Sequence, residues 1–160
     1  SLTGHLVFST LHTNDAPSSI TRLQNMGTPN YLISAALTLI MAQRLARKNC
    51  SECSIIDENV TPKLLNSIGF LPEQSARAKI YKGKGCDQCG NSGYKGRMGI
   101  YEILEIDKEL KQGILSDLSQ TELNSIAKKN GFKTMQEMGH DLLLSGDLSF
   151  SEYERVLQSN

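Results

Sequence analysis

With 160 residues, 39% of them hydrophobic, and 17 basic residues balanced by 17 acidic ones, the chain has the make-up of a soluble globular protein with one moderate domain or two small ones. Zero formal charge argues against strong non-specific affinity for nucleic acid and leaves room only for a local basic patch. The longest apolar stretch, residues 31–41, is broken by Ser34 and Thr38 and runs into Gln43 and Arg44, so no membrane span is expected.

Residues 5–11, from His5 to Leu11, are almost continuously apolar or β-favouring, the pattern of a strand covered on both faces in a parallel sheet. Such a strand needs neighbours, and the other convincing strands, 79–82 and 98–106, both lie beyond the first cysteine pair. Its flanking strands are therefore expected before Ser1, and the chain, which has no initiator Met, reads as a piece of a longer protein. The polar turn His12-Thr13-Asn14-Asp15 follows. Asn14 or Asp15 can cap a helix that has Pro17 in its first turn, Ile20, Leu23 and Met26 on its apolar face, and Gly27 at its end. A longer helix is predicted from Pro29 to about Lys48, with Leu32, Ala35, Ala36, Leu39, Ile40, Gln43 and Leu45 close to helical period.

All four cysteines fall into two equal spacings, Cys50-x-x-Cys53 and Cys86-x-x-Cys89. A two-residue gap lets both thiolates of a turn reach one tetrahedral ion at about 2.3 Å, and two such turns close its shell with no place for a catalytic water. The pattern points to a structural zinc site. Gly85, Gly90, Gly93 and Gly96 allow tight turns whose amides can face the sulfurs. Two disulfides in an oxidising compartment, or one redox-active pair, are the competing readings. Metal-type cysteines without a signal peptide place the chain in the cytosol. The stretch 54–85 is longer than a compact zinc ribbon allows and should carry structure of its own, including a short helix from Thr61-Pro62 to Gly69.

The last third reads as helical. A helix is expected at 108–115, and Ser119-Gln120-Thr121-Glu122, Thr134-Met135-Gln136-Glu137 and Ser149-Phe150-Ser151-Glu152 each have the spacing of a capping box. Leu123, Ile126 and Ala127, then Met138, Leu142 and Leu143, then Tyr153, Val156 and Leu157 offer core faces for a small helical bundle.

The run from Thr3 to Ala16, T-G-H-L-V-F-S-T-L-H-T-N-D-A, resembles the histidine box of the hexameric secretion ATPases of type II secretion and type IV pilus assembly. Thr21-Arg22-Leu23, Asn25-Met26-Gly27, Ala42-Gln43-Arg44-Leu45-Ala46-Arg47, both cysteine pairs, Gly93-Tyr94-Lys95-Gly96-Arg97 and Gly99-Ile100-Tyr101-Glu102 follow in that family's order. The wording of 42–47 and 85–89 is more similar to the pilus extension ATPase than to the type II secretion one. The resemblance implies an α/β fold, a fragment of a RecA-like P-loop NTPase domain with an inserted tetracysteine lobe and a C-terminal helical bundle. It would be divided into residues 1–49 (ATPase core), 50–106 (zinc-binding lobe and return strand) and 107–160 (helical subdomain).

It also implies ATP hydrolysis with magnesium, a homohexamer, an inner-membrane platform protein as partner, and a cytoplasmic location, peripheral at the inner membrane. No G-x-x-x-x-G-K-[ST] phosphate loop occurs, so the chain alone is expected to be inactive. By resemblance His12 is a γ-phosphate sensor and His5 the second histidine of the box; their bland reading is as turn and strand-end residues. Thr10 and Thr13 could touch nucleotide or only shape the turn. Gln43, Arg44 and Arg97 could sit near nucleotide or a subunit boundary, or be ordinary surface polar groups. His140 reads as structural or exposed. A competing class is a zinc-ribbon module for nucleic acid or protein, with Lys82, Lys84, Lys95 and Arg97 on phosphates and Tyr81 and Tyr94 stacking on bases. Asp87, Glu102 and Glu105 nearby, and the neutral net charge, weigh against it.

Overall fold

A computed structural model describes residues 4–158. It is a mixed α/β protein that divides into two compact units. The first comprises residues up to Gln43 together with Tyr101–Thr134, and the second comprises Arg44–Ile100 with the residues from Met135 on. Among the described residues, no helix is long and apolar enough to cross a membrane.

In the first unit the polar turn leads into α1 (Ser18–Asn25), where the Asp15 carboxylate accepts the Ser18 amide at 2.7 Å, and Gly27 follows at φ +83°. Helix α2 (Asn30–Ala36) opens after Pro29 but stops at Ala36. The predicted helix to Lys48 is wrong beyond that point, since residues Leu39–Asn49 form a strand, β1. Its partner is β4 (Tyr94–Glu105). The Ile106 amide donates to the Thr38 carbonyl at 2.9 Å and the Cys50 amide to the Gly93 carbonyl at 2.9 Å, so the two strands run antiparallel. Leu, Met, Ala, Gln and Arg are good helix formers, but pairing with the distant segment Tyr94–Glu105 overrides that weak preference.

Helix α5 (Lys108–Leu115) is capped by Asp107. Helix α6 (Gln120–Lys129) has the full capping box, Ser119 accepting the Glu122 amide and Glu122 the Ser119 amide. Ala16, Ile20, Ile33, Leu104, Ile106, Leu110, Ile114, Leu123 and Ala127 close this unit's core. The strand predicted at 5–11 is not formed: no residue from 5 to 11 belongs to a strand, and Leu6 and Phe8 are 77% and 87% exposed. A continuous apolar run becomes a strand only when another segment pairs with its amides, and none does so among the described residues.

In the second unit β2 (Ser54–Ile56) pairs antiparallel with β3 (Tyr81–Gly83), with Ile55 opposite Lys82. Between them lie α3 (Pro62–Ser67), capped by Thr61 as its sequence predicts, and α4 (Pro72–Arg77), which sequence reading missed. Helices α7 (Met135–Ser145) and α8 (Phe150–Tyr153) begin where their capping residues indicate, and α8 runs on into a π-helical turn, Glu154–Gln158. Gly139 lets these helices approach closely, because a Cβ there would lie 2.5 Å from Leu157 Cδ1. His140 is half-buried in this unit. Its Nε2 is 3.0 Å from the Tyr153 hydroxyl, its ring lies 4.4 Å from that of Phe70, and burial lowers its pKa.

Candidate metal centre and histidine cleft

The four cysteines converge. Cys50 directly follows β1, a 3-10 turn at Ser51–Cys53 presents Cys53, and a second at Asp87–Cys89 presents Cys89, with Gly90 closing it in the left-handed conformation. The Sγ–Sγ separations are 3.9 Å for Cys50–Cys86, 3.9 Å for Cys53–Cys89 and 3.7 Å for Cys86–Cys89, and all four sulfurs lie within 4.8 Å of one another. A tetrahedron with metal–sulfur bonds of about 2.3 Å has sulfur–sulfur edges of about 3.8 Å, whereas a disulfide needs about 2.05 Å. The spacing fits four ligands around one ion and no disulfide.

Backbone amides are aimed at the sulfurs: Gly85 N–H donates to Cys53 at 3.3 Å, and Cys86 and Gly93 N–H to Cys89 at 3.2 and 3.3 Å. Desolvation pushes the Cys53 thiol up to about 11 and raises Cys86, whereas at Cys89 the Cys86 and Gly93 amides outweigh desolvation and bring it down to about 6. A bound cation would supply the attraction that ionises thiols raised above their ordinary range, Cys53 and Cys86.

The lobe closes through an unusually tight crossing. A Cβ on Gly83 would lie 1.9 Å from the Gly93 carbonyl oxygen, so only glycine permits this approach. Asn49 ties the end of β1 next to Cys50 to its surroundings, donating from Nδ2 to the Tyr81 and Gly146 carbonyls at 3.1 and 2.9 Å. Two residues back along the strand, Arg47 lies 4.1 Å over the Tyr94 ring and donates to the fully buried Glu152. Burial acts to raise that carboxyl, but hydrogen bonds from Arg155 and Arg47 prevail and hold it at about 2.

In the first unit His12 and Thr13 line an open polar cleft of about 300 Å³ with Asn14, Asp15, Ser18, Thr21, Arg22, Asn25 and Gln120. Thr13 Oγ1 is 2.8 Å from Ser19 Oγ, which fixes the turn to the first turn of α1. His12 itself is exposed, so its imidazole is open to a ligand. Of the other sequence-predicted residues, His5 and Thr10 are exposed on the segment before the turn and do not line the cleft. Gln43 sits on β1 with Nε2 3.5 Å from the Tyr101 hydroxyl. Arg44 and Arg97 belong to the second unit. Arg44 donates to the Val156 carbonyl at 2.7 Å, and Arg97 is exposed on β4. The structure therefore brings together two of the seven nucleotide-site candidates and all four metal candidates.

Sequence reading quoted Arg22 only as part of a motif and gave it no role. The signal was available, since Ser18, Thr21, Arg22 and Asn25 recur at i, i+3, i+4 and i+7 as the polar stripe of α1.

Comparison with known proteins follows the same lines. The type IV pilus assembly ATPase PilB of Thermus thermophilus is 43% identical over 151 residues, 94% of this chain and 17% of that protein. The type IV pilus assembly ATPase TfpB of Acinetobacter baylyi is 44% identical over 160 residues, 98% of this chain and 26% of that protein. Type II secretion system protein E of Aeromonas hydrophila is 35% identical over 163 residues, spanning all of this chain and 31% of that protein. The chain is thus closer to the pilus assembly ATPases than to this type II secretion protein, and it covers less than a third of each relative's length. Residues 1–155 match the family described as Type II/IV secretion system protein, and the chain belongs to that family.

Proposed function

We propose that the chain is the C-terminal portion of a hexameric ATPase that powers type IV pilus assembly from the cytoplasmic side of the inner membrane, acting on a platform protein there. The observation that carries the reading is the polar cleft holding His12 and Thr13 on a turn fixed to α1, in a chain whose pilus assembly relatives are named ATPases. In this reading the turn belongs to a RecA-like core completed by the rest of the longer protein, which also supplies the phosphate loop and the magnesium ligands. His12 donates an imidazole hydrogen bond to charge developing on the transferred phosphoryl group. The 160-residue chain by itself does not turn over ATP, because it contains no phosphate loop of the required form.

Cys50, Cys53, Cys86 and Cys89 hold one zinc ion. Four thiolates leave it no open coordination position, so it braces the lobe and takes no part in hydrolysis. In the full-length protein His12→Ala should slow ATP turnover by about 10²-fold with the hexamer intact by size-exclusion chromatography. Unchanged turnover would remove His12 from the reaction. Type II secretion is the second reading, and complementation settles it: restored pili support the proposal, and restored enzyme export with no pili overturns it.

A further inference from the structure

The inward face of β4 carries Ile100, Glu102 and Leu104, with Ile106 just past its end, all at most 4% exposed, and the one ionisable side chain in that row is Glu102. A carboxylate among core residues costs free energy unless it makes strong hydrogen bonds, so the groups it bonds bear on its task. Glu102 Oε1 accepts the backbone amide of Ala16 at 2.7 Å, across 86 positions of sequence. Ala16 is itself 0% exposed and stands one residue before Pro17, the N-cap of α1, near the positive end of that helix's dipole. Further bonds within the turn shape it: Ser18 N–H to Asp15 at 2.7 Å, Ser18 Oγ to the Asp15 carbonyl at 3.0 Å, and Thr13 to Ser19 at 2.8 Å. Those bonds give the turn its shape, while Glu102 sets where that shape stands against β4.

We propose that Glu102 is the positioning residue of the histidine cleft: its bond to Ala16 sets the placement of His12 and Thr13. This rests on the role proposed for His12 in ATP turnover. A displacement of about 1 Å at a reacting group costs about 10²-fold in rate. In the full-length protein, Glu102→Ala should therefore lower kcat for ATP by up to about 10²-fold and leave KM within about twofold. Glu102→Gln keeps a carbonyl acceptor for the Ala16 amide and should restore most of that loss. Glu102→Asp retains the charge but falls one methylene short, and should behave like the alanine variant.

Because Glu102 acts through His12, adding Glu102→Ala to His12→Ala should slow turnover by less than about twofold more. Hydrogen exchange at the Ala16 amide should be faster in the alanine and aspartate variants than in the glutamine one. Full additivity with His12→Ala, or wild-type kcat in both the alanine and aspartate variants, overturns the proposal while the His12 reading stands. Wild-type turnover in His12→Ala alone overturns the His12 reading and the proposal with it. Should the alanine variant fail to fold, the aspartate and glutamine pair carries the same comparison.

Discussion

Glu152 is a fully buried carboxylate held by cations whose side chains are half exposed, and replacing it with glutamine gives a quantitative test of the second unit's packing. Its oxygens accept the Arg47 amide at 2.7 Å, Arg47 Nε and Nη2 at 2.9 and 2.6 Å, and Arg155 Nε and Nη2 at 2.8 and 2.5 Å. These contacts carry the carboxyl from an ordinary 4.5 down to about 2 against the opposing effect of burial. The folded value is depressed, so the group's contribution is fully present above about pH 4.5 and is lost as pH falls from there toward 2. Unscreened, that difference corresponds to about 3.4 kcal/mol. The Arg47 and Arg155 side chains are 48% and 54% exposed, and screening by water reduces the figure to about 2 kcal/mol. For a chain of this size that is a fall in Tm of about 4–8 °C. Thermal melts followed by circular dichroism should show Glu152→Gln below wild type by this amount at pH 7, with the two curves converging as pH drops below 4.5. A variant within about 1 °C of wild type at pH 7, or a gap that stays constant down to pH 3, refutes the reasoning.

The metal centre makes two further demands. Elemental analysis should find one zinc per chain, and Cys86→Ser should reduce this well below one equivalent and unfold the lobe, because metal binding and local folding share one free energy. Gly83→Ala should destabilise by more than about 2 kcal/mol and lower zinc retention, since its Cβ meets the Gly93 carbonyl at 1.9 Å and backbone atoms cannot step aside as a side-chain tip can. Unchanged Tm and metal content in that variant would show that the crossing is looser than described.

Several local signals were read correctly, although α4 with Pro72 at its start was missed. The Ser119 and Ser149 caps, the Thr61 cap ahead of Pro62, and the bounds of α5 follow from side-chain oxygens a few residues from the amides they satisfy. The cysteine cluster was legible for a similar reason, because two-residue spacing is a geometric statement about one turn and two such turns have one economical arrangement. The other failures were non-local. Nothing within residues 39–49 says that 94–105 will pair with them, although exposure alternates from Leu39 to Arg44 once the strand exists. Residues 5–11 failed in the opposite sense, having strand composition without a pairing partner among the described residues. At the histidine cleft the turn was visible but its anchor was not, because Glu102 lies 86 residues from the amide it accepts.

The segment between the cysteine pairs has a consequence for how this lobe can vary. A metal ion held by the four sulfurs would join residues 36 apart, Cys50 and Cys86, and would remove about 4 kcal/mol of chain freedom from the unfolded ensemble. That quantity depends on loop length only logarithmically, and doubling the loop alters it by about 0.6 kcal/mol. The lobe can therefore accept insertions or deletions around α3 and α4 at little thermodynamic penalty, provided the Gly83–Gly93 crossing and the two cysteine turns keep their geometry.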